Sequence, residues 1–284
     1  MRVGIGLPNP IPGLTGETLV EWARRAEQRG FSAFGTIGRV AYPSYDELIA
    51  LSAAAAVTER VELISNVLLG ATRNPVLLAK EAASLDQISG GRFVLGLGAG
   101  ARQDDFAASG TSFRDRGRRL DRALEVMHRA WNDEPVEGAA KPVTPRPTRD
   151  ARVPILIGGT SDRAVKRAVE WGIGWTAGGG GPDRAAAVIE RVRKAWSEAG
   201  KEGEPRIVCL EYFALGAEAE ERGGRYLSDY YGDFGPMITA AMPKSTEDIR
   251  DRMKRFEDIG TETLIFDPTI AELDQVEMLA EAVF

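Results

Sequence analysis

Two spacings of apolar residues alternate along this chain from one end to the other. Runs at 2–7 (RVGIGL), 61–69 (VELISNVLL), 92–97 (RFVLGL) and 154–158 (PILIG) are apolar with little alternation, the pattern of strands covered on both faces. Between such runs lie longer segments with apolar positions every three or four residues. The segment 16–29 carries Leu19, Trp22, Ala23 and Ala26 on one helical stripe. Pro75 opens another helix, where its fixed φ suits the first turn and its missing N–H is not needed; that helix breaks at Ser89-Gly90-Gly91. The pattern predicts eight strand–helix units. Strands are expected at about 2–7, 33–37, 61–69, 92–97, 154–158, 174–177, 206–215 and 262–267. Helices are expected at about 16–29, 44–58, 75–88, 113–131, 161–171, 183–199, 246–259 and 271–283. A strict β/α alternation implies a parallel α/β scaffold with its polar chemistry at the strand C-termini.

Two stretches break the rhythm. Residues 135–152 hold four prolines and several charges and read as an extended surface loop within one domain. Residues 218–242 contain Tyr226, Tyr230, Tyr231, Phe234 and Pro236. They read either as a lid or as an aromatic contact between two copies, and both readings stand.

Composition narrows the function classes. A chain of 284 residues can bury a substantial core as one domain, 1–284. Its net charge of −6 argues against a nucleic-acid partner, which needs a basic face. The one cysteine, Cys209, excludes an intrachain disulfide and a cysteine-clustered metal site, and its apolar surroundings suit a buried thiol. The one histidine, His128, excludes histidine-rich metal sites and argues against a Ser-His-Asp triad; no metal is expected. The opening MRVGIGLP reads as a strand rather than a leader, and no apolar run is long enough to span a bilayer. A cytoplasmic protein with no membrane partner is expected.

Candidate chemistry sits at predicted strand ends. The turn Gly158-Gly159-Thr160-Ser161 joins a strand to a helix N-terminus, which is either an ordinary N-capped turn or a phosphate seat. Gly178 to Gly181, after the next strand, leave no side chain to block an approaching ligand. Arg39 follows the second strand; it is a surface residue or a holder of an anion, and it cannot be a general base because it stays protonated. Arg73 either faces the same end or braces its loop. Tyr42, Tyr45, Phe106, Trp175 and Tyr212 are candidates for a pocket wall or for packing, with Tyr212 taken as the substrate-facing one.

The order of several motifs resembles the bacterial luciferase-like family. One block runs Thr72-Arg73-Asn74-Pro75, Leu85-Asp86, Ser89-Gly90-Gly91-Arg92-Phe93 and Leu95-Gly96-Leu97-Gly98-Ala99-Gly100. Another runs Pro154-Ile155-Leu156-Ile157-Gly158-Gly159-Thr160-Ser161 and then Gly172-Ile173-Gly174-Trp175, and the opening Val3-Gly4-Ile5-Gly6-Leu7-Pro8 agrees. Each motif is weak alone, but together and in order they are specific. The resemblance implies a single-domain TIM (β/α)8 barrel binding reduced FMN or the deazaflavin coenzyme F420 at its C-terminal mouth. It implies an oxidoreductase acting on a small organic substrate, of monooxygenase type. The alternatives are an F420-dependent hydride-transfer reductase and a flavin-binding protein without turnover. A separate flavin or deazaflavin reductase and a homodimer through the second and third helices also follow from it, although the apolar run 50–57 on the second helix suits barrel packing equally.

The resemblance further implies site residues. Gly158, Gly159, Thr160 and Ser161, with Gly178 and Gly179, correspond to the seat of the cofactor phosphate. Ser65 and Asn66 fall where the family often has a non-proline cis peptide against the middle ring. Gly98, Gly100 and Gln103 lie beside the ring; Arg73 and Tyr212, read from their places near strand ends and not from the resemblance, are the candidates for substrate contact. The chain departs from the family pattern at Gly38-Arg39, where many relatives carry Asp-His; Arg39 thus occupies the catalytic position.

Overall fold

The computed structural model describes residues 1–136, 138–143, 145–149 and 152–284. Its strands are β1 (Arg2–Gly6), β2 (Ala33–Thr36), β3 (Glu62–Ser65), β4 (Leu68–Leu69), β5 (Phe93–Gly98), β6 (Ile155–Gly158), β7 (Gly174–Thr176), β8 (Arg206–Phe213) and β9 (Thr263–Pro268). Every pairing is parallel, in the order β3-β2-β1-β9-β8-β7-β6-β5, and β5 returns to β3 through Leu63↔Phe93 and Ile64↔Val94. The ring is therefore closed: an eight-stranded TIM barrel in which the two-residue β4 resumes the third strand and pairs again with β5.

The helices are α1 (Gly16–Gln28), α2 (Glu47–Ala55), α3 (Pro75–Ile88), α4 (Gln103–Ala108), α5 (Arg116–Trp131), α6 (Asp162–Trp171), α7 (Gly181–Glu198), α8 (Ala219–Tyr231), α9 (Gly235–Ala241), α10 (Thr246–Asp258) and α11 (Asp274–Val283). Short polar side chains start many of them. Thr15, Asp46, Asn74, Ser161 and Ser245 each accept a backbone N–H of the first turn, an interaction worth about 1 kcal/mol per helix.

Ala33, Ile64, Val94, Leu156, Val208 and Ile265, each from a different strand or its end, fill the barrel interior. A larger core packs between the sheet and the helices, pinned by Trp22 Nε1 donating to Gly6 O (3.1 Å) and Trp131 Nε1 donating to Ala79 O (2.9 Å). The N-terminal end of the barrel is closed by Arg206 at the start of β8, which clamps Glu62 at the start of β3 with both terminal nitrogens, at 2.9 and 2.5 Å. Function is thereby left to the opposite end.

The structure refines the predicted elements at four points. The third strand is interrupted after Ser65. The second helix begins at 47 rather than 44, because the Asp46 carboxylate caps the N–H groups of Leu48 and Ile49. A short helix, α4, occupies 103–108; six residues are too few to show a helical period, and buried Asp105 and Phe106 anchor it. The 218–242 region resolves into α8 and α9 packed on each other. Within the apolar run 50–57, Ala50, Leu51, Ala54 and Ala55 are buried in the barrel packing. In the expected loop at 135–152, residues 137, 144, 150 and 151 lie outside the described residues.

Candidate functional site

The C-terminal mouth is built around the interruption of the third strand. The Asn66–Val67 peptide is cis, at the position the resemblance indicated. Asn66 N donates to Thr36 O (2.6 Å), and Thr176 Oγ1 donates to Asn66 Oδ1 (2.6 Å). Asn66 Nδ2 is left without a partner although the residue is only 3% exposed. The Val67 side chain lies where neighbouring strands carry no Cβ. A Cβ on Gly98 or Gly158 would stand 2.7 or 2.8 Å from its methyls. Ser65 Oγ sits behind this, bonded to both Gly96 O and Gly96 N at 3.0 Å.

Two cavities meet at that point. The first, about 310 Å³, is lined by Gly158, Gly159 and Thr160, by Trp175 and Thr176, and by Gly178 to Gly181 with Arg184. The eighteen-residue α7 starts here with Pro182 in its first turn, so unpaired N–H groups and the positive end of the helix face the space. Next door, Ser161 caps α6 by accepting Ala164 N (3.2 Å). The second cavity, about 170 Å³, is walled by Arg39, Arg102, Tyr212, Tyr230 and Tyr231. Asn66, Val67, Gly178 and Gly179 belong to both. A third space of about 340 Å³, reached past Arg39 and Leu69, is lined by Tyr42, Asp46, Glu47 and Arg73. Wider depressions of about 660 and 590 Å³ run along outer helix faces, the first beside α1 and the second between α6 and α7.

The charges at the mouth are arranged tightly. Arg39 pairs with Asp104 and, through Nε, with Asp105 (3.5 Å), while its guanidinium lies 5.5 and 5.9 Å from the ring centres of Tyr42 and Tyr230. Asp105 also accepts Val40 N (2.9 Å) and Ala41 N (2.8 Å), so the loop bearing Arg39 is tied to α4. Arg73 is ringed by Asp46, Glu47 (3.5 Å) and Glu81 (3.7 Å). A Cβ on residue 38 would stand 2.4 Å from Glu47 Cδ, so a larger residue there requires the Glu47 side chain to move. Tyr212 and Tyr231 share a hydroxyl hydrogen bond of 2.6 Å, and burial pushes the phenols of Tyr212, Tyr226 and Tyr230 well up, keeping them neutral. Asp267, at the end of β9, is fully buried without a hydrogen-bond partner; burial raises it far above the carboxylate range, so it stands as a neutral acid.

Burial also lifts Glu47 to about 7, against the opposing charge of Arg73. A carboxyl whose folded-state value exceeds its unfolded one leaves stability untouched below the unfolded value, near pH 4.5, and lowers it as pH rises toward 7. Glu47→Gln is therefore expected to stabilise the protein increasingly between pH 5 and 8, by up to about 2–3 kcal/mol at the upper end. Denaturant unfolding at several pH values checks this, and a pH-independent difference between the two proteins would refute it.

Of the residues singled out from sequence, Arg39, Asn66, Gly158, Gly159, Thr160, Gly178, Gly179 and Tyr212 line the two joined cavities. Arg73 lines the third. Ser65, Gly98 and Gly100 support the walls from behind: Gly100 adopts φ +81 and packs against Phe106, a residue buried in the core; Ser161 is exposed at the start of α6, next to Thr160. Gln103 opens α4 with its side chain exposed and lines none of these cavities. Tyr42 and Trp175 reach the mouth, whereas Tyr45 turns away and donates to Leu14 O (3.1 Å). Arg102, Arg184 and Thr176 escaped sequence reasoning; a lone arginine after a glycine run carries no signal until the loop's path is known. His128 is a packed ring on α5, its Nδ1 2.8 Å from Leu124 O and its face against Trp131 and Trp171, and burial lowers it. Cys209 is a buried thiol pushed up to about 12 and is chemically quiet.

Comparison with known proteins agrees with this architecture. An uncharacterised protein of Mycobacterium tuberculosis is 29% identical over 268 residues, covering 83% of this chain and 90% of its own length. The crystal structure of the monooxygenase RslO1 from Streptomyces bottropensis superimposes with a TM-score of 0.81 at 23% identity, covering 100% of this chain and 98% of the other. The coenzyme F420-dependent tetrahydromethanopterin reductase from Methanopyrus kandleri does so with a TM-score of 0.79 at 17% identity, covering 100% and 99%. The family model for luciferase-like monooxygenases matches residues 1–265, and the chain belongs to that family.

Proposed function

We propose that this chain is an oxidoreductase that binds reduced FMN across the two joined cavities and oxygenates a small organic substrate at the tyrosine-walled end. The observation that carries the reading is the junction itself. A glycine-lined seat at a helix N-terminus opens directly into a polar-aromatic pocket, and the unpartnered Asn66 Nδ2 stands where they meet. The residues fit such a group. A Cβ on Gly178 would meet nothing within 4 Å, so this wall is open, and Arg184 with the N–H groups of α7 offers positive charge to a phosphate.

In this reading Gly158, Gly159, Thr160 and Ser161, together with Gly178, Gly179 and Arg184, hold the phosphate. Asn66 offers its amide N–H to the ring edge, backed by Ser65, Gly98 and Gly100. When bound and reduced, FMN supplies two electrons for the activation of O₂, whereas reduced F420 supplies a hydride. The chain contributes positioning and proton placement. Arg39 holds negative charge and passes no proton; Tyr212 and Tyr231 are neutral and hydrogen-bonded to each other, and whichever hydroxyl accepts in that bond keeps its own proton to donate into the pocket. The similarity to an F420-dependent reductase, nearly as close in TM-score as that to a monooxygenase, favours one second reading: hydride transfer from F420 to an unsaturated substrate.

Fluorescence titration of the purified protein with FMN and, separately, with F420 tests both. Micromolar FMN binding is the expected result. F420 binding alone would move the protein to the second reading, and binding of neither would leave the fold and remove the function.

A further inference from the structure

We infer that the substrate is a flat organic anion, a carboxylate or phenolate on a planar body, and that Arg102 is its counter-ion. This rests on the tyrosine-walled cavity being the substrate end of the proposed site. Three charged groups line that cavity: Arg39, Arg102 and Asp105. Asp105 is committed to Arg39 and to the N–H groups of Val40 and Ala41. Arg39 is further matched by Asp104, on the rim. Arg102 differs. Among the described residues no carboxylate lies within ion-pair distance of it; it donates through one terminal nitrogen to Tyr230 O (2.7 Å) and lies 4.7 and 5.1 Å from the ring centres of Tyr230 and Tyr231. The other polar groups lining the cavity are the phenols of Tyr212, Tyr230 and Tyr231, the Asn66 amide and the already committed Asp105.

A half-buried guanidinium with no counter-ion leaves donors and positive charge directed at the cavity, and a carboxylate satisfies both with a two-pronged hydrogen bond. The rings of Tyr230 and Tyr231 that orient Arg102 also present flat faces against which a planar body stacks. The cofactor ring edge takes part of the space of about 170 Å³, so the flat body of the substrate extends past Arg39 into the adjoining space of about 340 Å³. The phosphate seat lies at the far side of Asn66, with its own arginine, so a cofactor phosphate held there leaves Arg102 free.

The probes are benzoate and its neutral counterpart benzamide, titrated calorimetrically against the purified chain with and without FMN. Benzoate is expected to bind at least tenfold more tightly than benzamide. Arg102→Gln should erase that preference, and Arg102→Lys, which keeps the charge but not the fork, should retain part of it. Equal binding of the two probes, binding of neither, or a preference that survives in a folded R102Q protein would each overturn the inference. The benzoate–benzamide comparison on the unaltered chain stands even if a variant fails to fold. An arginine-dependent preference in a protein that binds neither FMN nor F420 would sink the proposed function and keep this inference; cofactor binding without the preference would do the reverse.

Discussion

Gly96→Ala is expected to lower the melting temperature by about 6–12 °C, from an overpacking penalty of about 3 kcal/mol spread over a chain of this size. The added methyl would fall directly on Ser65 O, with the Ser65 carbonyl carbon 3.1 Å away. Both are backbone atoms, so no rotamer change relieves the clash, and β3 and β5 have to part at the point where they close the barrel. The reciprocal bonds between Ser65 Oγ and the Gly96 peptide go with them. The displaced segment leads straight into Asn66, so cofactor binding should fall together with stability. Scanning calorimetry decides the matter: a melting temperature within about 2 °C of the parent would mean that the strands absorb the methyl.

Gly178→Leu should show the opposite signature. Its Cβ would have open space around it, and the residue has no left-handed backbone conformation to strain, so the fold should hold. The new side chain would project into the volume common to both cavities. FMN affinity is expected to drop about tenfold to hundredfold, the equivalent of about 1–3 kcal/mol of displaced contact. Unchanged circular dichroism and melting with a weakened FMN titration is the expected pair of results. Unaltered affinity would mean that the ligand does not cross this junction.

The barrel was legible in the chain because each unit obeys one period, and periods survive without tertiary information. Strands such as 154–158 and helices such as 16–29 are buried in the way their spacing predicts. What escaped the local pattern has a common physical origin. The break after Ser65 was indicated by the family resemblance and not by the local pattern, because it depends on Val67 meeting glycines from two other strands. The helix at 103–108 is too short for a period, and Arg102 beside it gains meaning only from Tyr230 and Tyr231, more than a hundred residues away. The glycine turns after β6 and β7 were readable because backbone chemistry at a helix N-terminus is local. The lining of the aromatic pocket was readable only in part, through Arg39 and Tyr212, because two loops, β8 and α8 assemble it. Asp267 belongs with these: within its strand it looks like any terminal polar residue, and only closure against Gly6 buries it.

The methyl groups of Val67 occupy the space that Gly98 and Gly158 leave vacant on two neighbouring strands, so three positions far apart in the sequence share a single volume. Enlargement at either glycine has to be met by reduction at Val67, a dependence that no member can escape alone. In a collection of diverged relatives these three sites would change in concert or stay fixed, and their joint record would mark the floor of the mouth more sharply than the identity of any one of them.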